Sequence, residues 1–244
     1  MRAAVALQKR NQQLAMADMM SDIMKAAMET EFRSALASAV ERFGLEALAA
    51  DQVDRLVCHY LMLREWNRRV NLTRIVQPAE AARLHFAESI LAGRYAGNAQ
   101  TILDIGSGAG FPAVPLAVTR PESHITAMEP NQKKATFLKD VKQALALSNF
   151  KVVTARIEAF DWSGYDLLTS RALDEAERMY GSILGKLSPG KSLLLLCGSD
   201  LLARIEEQIR EVEHAERAHS HLILEAHQIP DSKTRLIALF SSTW

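Results

Sequence analysis

Chemistry is announced where three glycines alternate between two acids. The run Asp104-Ile105-Gly106-Ser107-Gly108-Ala109-Gly110-Phe111-Pro112 follows a short apolar stretch, and Glu129 closes a second such stretch nineteen residues past Gly110. Glycines at 106, 108 and 110 allow positive φ and let a ligand approach the main chain where a Cβ would collide. Glu129 is placed to accept hydrogen bonds from both hydroxyls of a ribose. Together with Asp104, Ser107 and Phe111 these residues form a candidate nucleoside cradle. The dinucleotide fingerprint G-x-G-x-x-G needs its third glycine where this chain has Phe111, so a nicotinamide oxidoreductase is the weaker reading. A tight turn without any ligand remains the plain structural alternative.

Other candidates sit after further apolar runs, where ligands bind in open parallel sheets. These are Arg156-Ile157-Glu158, Ser170-Arg171 and Cys197-Gly198. A guanidinium at 171 needs a partner, either a carboxylate or a bound anion such as phosphate, or a base edge. Ile157 can flank an adenine while Glu158 and neighbouring amides meet its edge. Lys133 and Lys134 fall in the first turn of a helix, where the macrodipole disfavours cations; a substrate contact or plain surface placement both fit. His85 and Glu88 share a helical face at i, i+3, but two ligands are too few for a metal site. The chain offers no Ser-His-Asp order, no clustered Cys or His, and no paired carboxylates for hydrolysis.

The elements that must position these groups are legible from periodicity. Strands are expected at 101–105, 124–129, 150–154, 165–170 and 191–197, with helices at 112–119, 131–147, 173–186 and 200–217 between them. That alternation makes a parallel sheet with right-handed crossovers. Runs at 222–227 and 235–240 are separated by too few residues for a crossover, so the last strand enters antiparallel. Residues 31–97 read as three helices: Leu36, Val40 and Phe43 mark one face and Gly44 a stop, and Val53 to Leu63 follow. Asn71 is a candidate left-handed stop, and Pro78 opens a new helix. Arg64, Arg68, Arg69 and Arg74 cluster at the end of the second helix and read as a solvated face. Residues 1–30 carry Met16, Met20, Ile23, Ala27 and Met28 near helical spacing, an appended amphipathic helix or a product of the assumed start codon.

Composition bounds the rest. With 244 residues, 48% hydrophobic, the chain can bury one good core with a small appendage. Lysine plus arginine and aspartate plus glutamate are 29 each, so RNA contact needs a local basic patch. Cys58 and Cys197 have neither metal nor redox spacing, and no window approaches a membrane span. A cytoplasmic monomer without membrane contact or metal is expected.

Several boxes in order carry a resemblance: Trp66-Asn67, Asn71-Leu72-Thr73, His85-x-x-Glu88-Ser89, Asp104 to Pro115, Lys133-Lys134-x-x-Phe137-Leu138 and Ser170-Arg171-Ala172. Over roughly residues 41–241 the chain resembles the RsmG (GidB) family, methyltransferases that use S-adenosylmethionine to methylate N7 of one guanine in 16S ribosomal RNA. The resemblance implies a class I S-adenosylmethionine-dependent methyltransferase, α/β and Rossmann-like. Its seven-stranded sheet would end in an antiparallel hairpin, with a helical region over 1–97 and the methyltransferase domain over 98–244. It implies that Asp104, Gly106, Gly108 and Gly110 hold the methionine part of the cofactor, Glu129 the ribose, and Ile157 with Glu158 the adenine region. His85, Lys133, Lys134, Arg156 and Arg171 would face 16S rRNA or a small-subunit precursor. Two positions depart from the family pattern: Glu88 stands where aspartate is usual, and Cys197 where lysine is usual.

The missing base fits such chemistry. N7 of neutral guanine carries a free lone pair, so its methylation removes no proton and positioning suffices. A methyltransferase diverted to another substrate and a non-catalytic RNA-binding factor on the same fold are the competing readings.

Overall fold

The computed structural model describes residues 2–171, 177–216 and 222–243. Its sheet has seven strands: β1 (Thr101–Ile105), β2 (His124–Met128), β3 (Phe150–Val153), β4 (Leu167–Arg171), β5 (Ser192–Gly198), β6 (Leu222–Gln228) and β7 (Arg235–Ser242). Their order is β3-β2-β1-β4-β5-β7-β6. The first five pair in parallel, and β7 runs antiparallel between β5 and β6. Strands covered on both faces must be apolar throughout; all but the first residue of β1 and β2 is buried. The six residues between β6 and β7 close a hairpin, as their number requires. Strand order reverses on either side of β1, so the carboxyl ends of β1, β2 and β4 open onto one crevice.

The helices before the sheet depart from expectation in two places. The expected helix over residues 1–30 does not end there: α1 runs unbroken over Arg2–Arg42. No glycine or proline occurs before Gly44, where φ of +62° stops the helix and Leu45 N donates to Val40 O at 3.0 Å. The helix α2 (Ala50–Asn67) ends at Asn67, and Asn71 is not left-handed. Its stop is built by the Asn67 side chain, whose Oδ1 accepts from Leu72 N at 2.8 Å and Thr73 N at 3.0 Å. Pro78 opens α3 (Pro78–Ala81) at its first turn, as expected. A wide π-helical turn over Ala82–Ala87 leads into α4 (Glu88–Arg94).

Between and after the strands lie α5 (Ala113–Thr119), α6 (Gln132–Ala144), α7 (Glu177–Leu184) and α8 (Ser199–Glu216). The expected helix over 173–186 has its first four positions, and that over 200–217 its last, outside the described residues. Apolar side chains fill both faces of the sheet. One cluster joins Leu103, Leu193, Leu195 and Phe240 to Ile183 and Ile205. The other joins Ile102, Ile125 and Phe137 to Phe32, Leu36, Tyr60 and Phe86, so helices from before residue 97 share a core with the sheet. Phe32 stacks on Tyr60 at 4.4 Å. Truncating Leu36, only 1% exposed, removes atoms from this core at a cost of about 2–5 kcal/mol. The N-terminal half of α1 differs: Met16, Met19, Met20, Ile23 and Met24 are each more than half exposed.

Candidate active site

The glycine turn is tied to the neighbouring strand before any ligand is considered. Gly106 N and Ser107 N both donate to Met128 O, at 2.9 and 3.0 Å. All three glycines have positive φ: 71° at Gly106, 55° at Gly108 and 90° at Gly110. Their reasons differ. A Cβ at Gly108 would meet nothing nearer than Gly106 O at 3.7 Å, leaving the approach to its main chain open. At Gly110 a Cβ would lie 2.7 Å from Val114, 3.2 Å from Leu138 and 3.4 Å from His59. The third glycine therefore serves helix packing, a correction to the reading that all three clear space for a ligand.

Two acids border the turn. Glu129 accepts from Gly108 N at 2.9 Å through one oxygen and from Asn131 N at 2.8 Å through the other. Asn131 also caps α6, its side chain accepting from the amides of Lys133 and Lys134. The carboxylate is thus fixed in orientation while each oxygen keeps a lone pair for a further donor. Asp104 is fully buried; Thr169 donates to its Oδ1 at 3.1 Å, whereas Oδ2 has no partner. Burial pushes its carboxyl up to about 7. The Ser107 hydroxyl, Thr169 and the Ala113 amide ease the charge on this acid, which lies fully buried beneath the glycine cradle.

Opposite the turn lies a second cluster. His85, on the π-helical turn, stacks on Phe111 at 4.5 Å with planes 15° apart. Its Nε2 meets Thr73 Oγ1 at 2.8 Å and its Nδ1 contacts the Arg171 guanidinium. Arginine has only donors, so Nδ1 accepts and the proton resides on Nε2, donating to Thr73. Burial, reinforced by Arg171, drives the His85 pKa down to about 2, so the ring is neutral and its lone pair engaged. Glu88 is 1% exposed; Arg235 contacts its Oε2, and its Oε1 is unpartnered. Burial raises this carboxyl to about 7 against the pull of Arg235. Burial also lowers Arg171 to about 10, with Glu88 opposing. The partner that Arg171 demanded is thus an imidazole, with a carboxylate in its field.

A model of the GidB family, described as rRNA small subunit methyltransferase G, matches residues 52–230. The chain belongs to this family. A ribosomal RNA small subunit methyltransferase G from Solibacter usitatus is 38% identical over 178 residues, covering 71% of this chain and 82% of the relative. One from Xanthomonas campestris pv. campestris is 37% identical over 174 residues, covering 71% and 80%. Among solved structures, an O-methyltransferase from Bacillus cereus in complex with SAH aligns with a TM-score of 0.54 at 17% identity, covering 77% of this chain and 91% of that one. A ribosomal protein L11 methylase from Lactobacillus delbrueckii subsp. bulgaricus aligns at 0.51 and 13% identity, covering 66% and 80%. The fold is that of class I methyltransferases, Rossmann-like with the terminal antiparallel hairpin.

Within the GidB frame, the remaining candidate residues divide by exposure. Ile157 is buried on a short 3-10 turn, while Arg156 and Glu158 flank it in solvent at the end of β3. Lys133 is exposed and Lys134 partly so at the start of α6. Ser170 donates to Ile105 O at 2.9 Å, fixing the end of β4. Sequence reasoning missed Arg235, Thr169 and the clasp of Asn67 on Thr73. Of these, the Asn67 clasp had a signal, an Asn at a helix end followed by a polar turn. Cys197 is buried on the α7–α8 side of the sheet, and burial raises its thiol to about 12.

Proposed function

We propose that the chain transfers the methyl group of S-adenosylmethionine to N7 of a guanine in 16S ribosomal RNA. The observation that carries this reading is the glycine turn between Asp104 and Glu129, facing a neutral His85 whose lone pair is engaged by Arg171. Gly106, Gly108, Asp104 and Glu129 would hold the cofactor, and Ile157 would flank its adenine. S-adenosylmethionine supplies an electrophilic methyl on a sulfonium. Everything left to the protein is placement, because the N7 lone pair attacks without losing a proton. Holding nucleophile and methyl about 3 Å apart removes the entropy of encounter beforehand.

Arg171, with its guanidinium field moderated by Glu88, is suited to O6 of the guanine or to an adjacent phosphate, which leaves the N7 lone pair free to attack. His85 fixes Arg171 and presents one ring edge of the pocket; Lys133, Lys134 and Arg156 meet the RNA backbone. The helical region over 1–97 supplies the substrate wall and 98–244 the cofactor side. The decisive experiment is mass spectrometry or primer extension on 16S RNA from a deletion strain. The reading requires one N7-methylguanine to disappear and to return on complementation; RNA with unchanged modification refutes it.

A further inference from the structure

A cavity of about 350 Å³ opens between the end of α2 and the first turn of α6. That volume is at the low end of small-molecule sites, roughly 300–1,000 Å³. Its walls are Glu65, Trp66, Arg69, Val70, Lys133 and Thr136. Trp66 is half-buried and held edge-on against Phe137, with ring centroids 5.7 Å apart. One side of its indole is anchored to the core, and the residue still lines the opening. Arg69 is 83% exposed and meets Glu65 at 3.9 Å, a loose contact that a stronger anion can displace.

Two short segments of chain link the walls of this cavity to the pocket described above. Asn67, next to Trp66, holds Thr73 at three points: its Oδ1 accepts from Leu72 N and Thr73 N, and its Nδ2 donates to Thr73 O at 2.9 Å. Thr73 in turn accepts from His85 at 2.8 Å. On the other wall, Lys133 sits two residues after Asn131, which donates its amide to Glu129. Residues that wall the cavity are thus sequence neighbours of residues that brace the site.

We infer that this cavity is a subsite for a nucleotide flanking the target guanine, its base against Trp66 and its phosphate between Arg69 and Lys133. The inference rests on the proposed function. Single-stranded RNA is recognised by stacking unpaired bases on aromatic rings or guanidinium planes, with cations on the backbone. A guanine drawn out of its stack leaves its neighbour unstacked, and an aromatic wall one residue from the Asn67 clasp recovers that lost contact.

Steady-state methyl transfer tests this, using wild type, Trp66→Leu, Trp66→Phe and Arg69→Ala on the form of 16S RNA that the wild type methylates. Trp66→Leu should raise the RNA KM about tenfold, the weight of one base stack. The KM for S-adenosylmethionine stays put, and Trp66→Phe keeps most of the wild-type value. Arg69→Ala, at a solvent-facing position that folding does not depend on, should raise RNA KM and lower the salt slope of RNA binding by about one. An RNA KM unchanged in both Trp66→Leu and Arg69→Ala overturns the subsite. So does a rise matched by an equal loss for S-adenosylmethionine. A wild type that transfers nothing to 16S RNA overturns the underlying function and the subsite with it.

Discussion

Two glycines of one turn should fail in different ways when given a methyl group. Alanine at 108 must adopt φ near +55°, which costs about 1–2 kcal/mol for an L residue, and its Cβ meets only Gly106 O at 3.7 Å. Alanine at 110 must adopt φ near +90° and also place a Cβ 2.7 Å from Val114 Cγ2. Valine on a helix has essentially one χ1 well, so that methyl cannot swing aside without cost. Leu138 at 3.2 Å and His59 at 3.4 Å close the other sides. Overpacking adds about 1–3 kcal/mol to the backbone strain, for a total of roughly 2–5 kcal/mol. For a chain of this size that lowers Tm by on the order of 10 °C. Urea unfolding followed by circular dichroism measures both variants against wild type. Gly110→Ala should lose at least about 1–3 kcal/mol more than Gly108→Ala. Equal stabilities would mean that the third glycine is not a packing residue, and the reasoning fails.

Other perturbations separate cofactor, substrate and pH effects. Glu129→Ala should weaken S-adenosylmethionine binding by roughly 10- to 150-fold, the loss of hydrogen bonds to a charged acceptor; calorimetry showing unchanged affinity removes Glu129 from the site. Thr73→Val strands the His85 Nε2 proton and should lower kcat about tenfold with cofactor affinity intact, since one unsatisfied buried donor costs about 1–3 kcal/mol; an unchanged kcat argues against the His85–Arg171 alignment. Glu88 and Asp104 both sit near 7 when folded, raised from 4.5 and 3.8. The folded state therefore keeps protons that the unfolded chain releases between about pH 4 and 7, and their contribution to stability falls across that window, then levels off. Glu88→Gln should flatten part of the decline between about pH 4.5 and 7; a wild-type slope in that variant contradicts the buried-acid assignment.

The sheet was readable because each strand is a short apolar run bounded by turns, and because six residues cannot carry a crossover. Glu129 was readable from its spacing after the glycines. Arg235 was not: it lies near Glu88 only because β7 inserts beside β5, placing Arg235 opposite Gly198. Asn71 misled because a left-handed preference is local, whereas the stop comes from the Asn67 side chain reaching five and six residues ahead. The continuity of α1 had a signal in the lack of any breaker before Gly44, outweighed by the change of composition near residue 30. Burial created what composition could not suggest, a histidine neutral beside an arginine and two carboxyls near 7.

The wide turn at Ala82–Ala87 sets a constraint on how this lineage can change. A π turn carries one residue more than an α turn, and each residue of an α-helix advances the chain by about 100°. A single deletion there would close the turn at α pitch while the helix on either side keeps its direction, because the π turn already holds its extra residue within one revolution. What such a deletion moves is the turn itself: His85 would shift from its place against Phe111 and Arg171, while Glu88, at the head of α4, would keep Arg235. The extra residue of this turn is what aims the imidazole.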